Sequence, residues 1–176
     1  GISDCDETEC ASTDICTPPP QLIFSEYGEG SSFNKFIEIL NVGTATTDLS
    51  NCSIKGYQNG GTTVGYTIDL TASALAAGDT WVVCHSGLDA TALPNCDQIA
   101  GTVLGFNGDD AVVLRCDGEV IDSFGQVGFD PGTEWGTTPG PTTADDTLCR
   151  SVRVPDTIIN DVFDPALQWT SYGNNY

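Results

Sequence analysis

The chain has 176 residues, 39% of them hydrophobic, which is enough to bury a core and short enough for one domain. Its 25 acidic residues face only five Lys and Arg, for a formal net charge of -20. Such a surface repels phosphate backbones and anionic lipid, so direct nucleic-acid binding is not expected, and without an apolar run of about 18 residues neither is membrane insertion.

In chain order, "GISDCDETECASTDICTPPP" comes first. It is acidic, holds three cysteines and closes on three prolines, so residues 1–20 read as a disulfide-pinned arm ending in a stiff polyproline spacer. From residue 21 to 176 the texture is that of a β domain. The runs "QLIFSEY", "KFIEILNV", "SIKGYQ", "TTVGYTIDL", "TWVVCHS", "AVVLRC" and "EVIDSFGQV" are short, β-branched and aromatic, and turn signals separate them. About seven strands at roughly ten-residue spacing predict an all-β sandwich. "CDGE" predicts a tight hairpin between two of them, and "QNGG" a second. "TASALAAGD" and "LDATAL" each suggest a helical turn. After residue 130 a Pro, Gly and Thr-rich loop leads to the short strand "LCRSVRV", and the tail "FDPALQWTSYGNNY" brings Trp169 back to the domain.

Eight cysteines (5, 10, 16, 52, 84, 96, 116 and 149), with no C-x-x-C and one histidine, point to four disulfides in an oxidising compartment rather than to zinc. That places the protein outside the cell or on its surface. Cys84 and Cys96 predict a local loop clip worth about 3 kcal/mol. Cys52 and Cys116 lie near strands and suggest a bridge across the core, while Cys149 is assigned to one of them or to the arm with Cys5, Cys10 and Cys16. The remaining pairings stay open. Asn51-Cys52-Ser53 is a glycosylation sequon.

The stretches "NGDDAV", "DGEVIDSFGQVG" and "DPGTEWG", set among "FIEILN", "LSNCSIKGYQNGG", "LAAGDTWVVCHS" and "FDPALQWTSY", resemble the lamin tail domain, in particular its secreted microbial form, over residues 21 to 176. The resemblance implies an immunoglobulin-like β-sandwich without catalytic function. In secreted proteins such domains accompany nucleases, adhesins and other surface proteins. Nuclear relatives contact partners and DNA, but this chain lacks basic patches, so the DNA role does not carry over. The arm has no counterpart in the family.

"FNGDDAVVLRC" contains the sharpest candidate, the adjacent pair Asp109 and Asp110. Adjacent carboxylates hold metals, move protons or shape turns. Calcium needs several oxygen ligands, and Asp109/Asp110, Asp145/Asp146 and the group Asp4, Asp6, Glu7 and Glu9 offer them, though none fits an EF-hand loop. The competing reading is a turn: Gly108 takes a positive φ, a carboxylate accepts backbone N–H bonds, and strand alternation sends one aspartate inward and one outward. His85 is the only histidine, which leaves nucleophilic and metal-assisted hydrolysis without a base, so it reads as an ordinary residue at a strand end. Trp81 is expected in the core and Trp135 exposed, where it offers a face to sugars. The sequence therefore predicts a non-enzymatic extracellular module for protein interaction, adhesion or structural assembly, with no cofactor or with calcium. The alternatives are an accessory domain of a larger secreted enzyme such as a nuclease, a calcium-dependent binding domain, or a small hydrolase built on unmarked carboxylates.

Overall fold

β-Branched and aromatic runs bounded by turn residues set the strands. The computed structural model describes residues 20–175. It contains ten strands: β1 (Leu22–Glu29), β2 (Lys35–Asn41), β3 (Cys52–Tyr57), β4 (Tyr66–Asp69), β5 (Thr80–Cys84), β6 (Gln98–Ile99), β7 (Ala111–Cys116), β8 (Glu119–Phe124), β9 (Asp146–Arg150) and β10 (Trp169–Ser171). One sheet runs β10-β9-β1-β2-β5-β6 and the other β4-β3-β7-β8. Together they form an immunoglobulin-like β-sandwich, as the spacing and the resemblance led us to expect.

Two strands beyond the apolar runs are very short. β6 is a two-residue parallel addition beside β5, and β10 pairs with β9 through Trp169, Thr170 and Ser171. Neither is long enough to show a period of two. The tail does return to the domain, with Trp169 in the core. "TASALAAGD" is not helical: Leu75 bridges to Thr47 and Asp79 closes a turn on Ala76. "LDATAL" does turn, and a short 3-10 segment starts at its last residue, over Leu93–Asn95.

The β7–β8 hairpin turns at Asp117 (φ 51°) and Gly118 (φ 88°), both in the left-handed region that a tight hairpin requires. The Asn59-Gly60 turn also has positive φ at both residues, but its hairpin is wider, reaching from Tyr57 to Tyr66 before pairing resumes.

Side chains from the two sheets meet in one main core of Leu22, Phe24, Tyr27, Ile37, Ile54, Leu114 and others. A β-bulge between Phe24 and Glu26 resets the alternation, so that Phe24 before it and Tyr27 after it both face inward. Tyr27 stacks on Phe124 at 4.0 Å and on Phe106 at 4.5 Å. A second cluster gathers Tyr57, Ala111, Val113, Val127 and Trp135. Trp135 is thus buried, contrary to the exposed position its Pro and Gly-rich loop suggests. Phe163 packs edge-on against its ring at 5.6 Å. Trp81 is half-buried, with its indole N–H donating to Gln98 at 3.2 Å.

The Cys84–Cys96 clip is present. Cys52 and Cys116 are also bonded, but they are cross-strand neighbours on β3 and β7, 3.9 Å apart at Cα. The bridge therefore staples two strands of one sheet and does not cross the core. Cys149 has no disulfide partner among the described residues. The arm, with Cys5, Cys10, Cys16, Asp4, Asp6, Glu7 and Glu9, lies outside the described residues.

Candidate functional site

Antiparallel pairing brings the end of β1 beside the starts of β2 and β9, so Glu29 faces both Lys35 and Asp146. The turn before β7 arrives at the same end. Lys35 lies over the Phe106 ring at 5.9 Å, and its charge acts on Asp110. Acidic loop residues and one lysine thus meet at one end of the sandwich.

Every carboxylate in this cluster that is out of water is held from within. Glu29 accepts Lys35 Nζ through one oxygen and the Asp145 N–H through the other at 2.5 Å. Asp146 Oδ1 accepts the N–H groups of Thr147 and Gly173, both at 2.8 Å, and the Ser171 hydroxyl at 2.9 Å. It ties the start of β9 to the tail. Asp145, the exposed member of its pair, accepts from Asn174 at 3.1 Å.

Asp109 and Asp110 are both buried, at 6% and 1% exposure. The expected split into one inward and one outward side chain does not occur. Alternation begins only with β7 at Ala111, and the two aspartates belong to the turn before it. Gly108 has φ 99°, and a Cβ there would sit 2.6 Å from that of Ala144, so both conformation and space demand glycine. Asp110 Oδ1 accepts the Asn59 N–H at 2.8 Å, which ties the β3–β4 turn to the start of β7. The Asn107 amide lies against both carboxylates; oriented with its nitrogen toward these acceptor-only oxygens, as their chemistry requires, it donates to Asp110 at 2.8 Å and to Asp109 at 2.6 Å. Thr143 closes the loop from behind: its hydroxyl donates to the Gly108 carbonyl at 2.5 Å and accepts the Trp135 N–H at 2.9 Å.

The electrostatics follow from this burial. Loss of water pushes the Asp110 carboxyl up to about 6; the Asn59 N–H opposes the rise and the Asp109 charge adds to it. Asp109 is raised too, first by burial and then by Asp130. The Tyr27 phenol is raised by burial and by Glu29, Tyr66 and Asp110, and the Tyr66 phenol by burial and Asp110. A carboxyl near 6 has the acidity of a general acid, but this one is turned into the fold and bonded to a backbone amide. Among the described residues, no group of three or more His, Cys, Asp or Glu is arranged to hold a metal ion.

The other candidates are scattered. His85 is buried directly after β5, accepts the Gly87 N–H on Nδ1 at 2.8 Å and stacks on Phe33 at 4.8 Å. Burial and Lys35 lower its pKa. Cys149 donates to Glu26 at 3.3 Å, and burial, with Glu26 beside it, pushes the thiol up to about 12, far from a nucleophilic thiolate. Asn51 is exposed in the turn before β3, next to the bonded Cys52.

Sequence reasoning missed Asp122 and Arg150. Asp122 sits on β8, fully buried, and accepts Arg150 Nη1 at 2.6 Å, the Phe24 N–H at 2.7 Å and the Asp156 N–H at 2.6 Å. Arg150 comes from β9 and Phe24 from β1, so this one carboxylate joins the two sheets. The signal was present: "EVIDSF" carries a charge in an apolar strand, where an unpaired carboxylate is costly.

Residues 17–128 match the family model described as Lamin Tail Domain. A crystal structure of a DUF4876 family protein from Bacteroides thetaiotaomicron is similar at 14% identity and a TM-score of 0.46, covering 89% of this chain and 68% of that one. No curated protein matches.

Proposed function

Because the chain belongs to the lamin tail domain family, we propose that it is a non-catalytic module that works outside the cell in protein interaction, adhesion or structural assembly. One observation carries this reading: the buried carboxylates are used up as ties between strands and turns. Asp110, Asp122 and Asp146 each accept backbone N–H groups from other segments, and no histidine is among their hydrogen-bond partners in the described residues. The two disulfides fit an oxidising compartment. The exposed Asn51 fits glycosylation there. An acidic surface without basic patches fits protein contacts better than nucleic acid.

The test is a hydrolase and nuclease substrate screen on wild type, Asp109→Asn and Asp110→Asn, run beside light scattering over a range of concentrations. The proposal expects no turnover that depends on either carboxylate. Turnover present in the wild type and lost in Asp110→Asn would overturn it.

A further inference from the structure

The segment 151–168 joins β9 to β10 as a strap, closed at its base where the Ser151 N–H donates to the Gln168 carbonyl at 2.7 Å. It lies beyond the residues that match the family model. Its inward side is well anchored. Asp156 bonds to Asp122, its carbonyl accepts the Ser123 hydroxyl at 3.1 Å, and the Ile159 carbonyl accepts the Val127 N–H at 2.7 Å. Phe163 packs on Phe124 and Trp135, and Pro165 is buried. The strap thereby covers the open edge of β8.

Its outward side mixes polar residues with an unusual share of large apolar ones. Val152, Val154, Ile158, Val162 and Leu167 are exposed, Val162 to 83% and Leu167 to 73%. Five of the eleven exposed large hydrophobics thus fall within residues 152–167. Scattered singly such residues mean little, but five within one anchored segment of sixteen residues single that segment out as a contact surface. Asp156, Asp161 and Asp164 punctuate them, and neither ion pair among the described residues includes any of the three. Asp161 is raised by burial and by Asp156, as expected of a carboxylate beside a like charge. The one cation of the strap is Arg153.

We propose that the outward face of this strap docks a basic protein partner, one presenting apolar side chains flanked by lysine or arginine. The inference rests on reading the chain as an interaction module and specifies which face does the work. Charge decides the occupant. A second copy supplies a net -20 and five cations, of which Lys35 and Arg150 are already in buried pairs. Apolar burial with opposite charges at the rim is the composition of a specific interface.

The test titrates the full chain with a short peptide of alternating leucine and lysine and maps the contact by hydrogen exchange. Triple replacement Val154→Ser, Ile158→Ser and Val162→Ser is compared with Val64→Ser and Val103→Ser, matched apolar changes elsewhere. Asp161→Asn with Asp164→Asn is compared with Asp69→Asn and Asp117→Asn. All sites are on the surface, and unchanged melting temperatures check that each variant folds. The strap variants should weaken binding by about tenfold or more and the controls by less than about twofold, with protection over 152–167. Equal weakening by strap and control variants would overturn the proposal, because the attraction would then be unspecific. Protection confined to another face would overturn it and leave the interaction reading standing. Self-association abolished by the triple variant would replace the basic partner with a second copy. Absence of protection anywhere would count against both readings.

Discussion

Asp122 and Asp110 make an instructive pair. Both are almost out of water, at 0% and 1% exposure, and burial pushes both carboxyls up to about 6. Asp122, however, has a guanidinium at 2.6 Å and two backbone donors from separate segments, all of which pull against that rise. Asp110 has backbone bonds to Asn59 and Asn107 but, among the described residues, no cation in contact, and another carboxylate lies beside it. The same residue type under the same burial is a tie between the sheets in one place and a tie between turns at the end of the sandwich in the other. The partner sets the role.

The largest effect should come from breaking the first tie. Arg150→Met leaves Asp122 buried without its cation, a loss of about 3–5 kcal/mol at neutral pH. Thermal unfolding should show a drop on the order of 10 °C. The deficit should shrink at pH 5, where the stranded carboxyl takes up a proton; a deficit independent of pH would mean that Arg150 acts through its contact with the Trp169 ring at 5.5 Å and not through Asp122.

The second tie should break more gently. Asn107→Ala removes the amide that serves both aspartates, a cost of about 1–2 kcal/mol. Chemical denaturation should find this cost greater at pH 7.5 than at pH 5, because proton uptake relieves the pair.

A smaller effect comes from pH alone and is common to the two sites. A carboxyl raised to about 6 in the folded state binds its proton more tightly there than in the unfolded chain. Between about pH 4 and pH 6 the unfolded chain gives up that proton first, so stability falls as pH rises through this window. Asp110 should contribute on the order of 1 kcal/mol to that fall after screening. The crowded negative charge acts in the same direction, whereas Asp48 and Asp89, whose pKa values their own turns lower, lose their bonds only in stronger acid. Melting curves should therefore peak near pH 4–5. A peak at pH 8 would place the ionised carboxylates in a stabilising role.

The strands were legible in the sequence because β-branched runs between turn residues leave few other structures for them, and Asp117-Gly118 fixed one hairpin outright. Asp109 and Asp110 were legible as a turn, since Asn107-Gly108 precedes them. Their joint burial was not, because strand periodicity says nothing about the residues before a strand begins. Trp135 misled for a related reason. A loop rich in Pro and Gly usually faces water, but Phe163, 28 positions further on, folds back to cover the indole. The Asp122–Arg150 pair spans 28 positions as well, and only the packing of β8 against β9 and β1 reveals it. Long-range partnership was what the sequence withheld in each case.

The central claim is that Asp109 and Asp110 serve the fold, and with it goes our proposal that the pair holds no calcium. Thermal unfolding of the wild type and Asp110→Asn at neutral pH, with and without millimolar calcium, tests it most directly. Our account predicts that the variant melts at or slightly above the wild-type temperature and that calcium moves neither curve. A rise of several degrees with calcium in the wild type, absent from the variant, would mean that the pair binds the ion in the folded state, and would contradict the account.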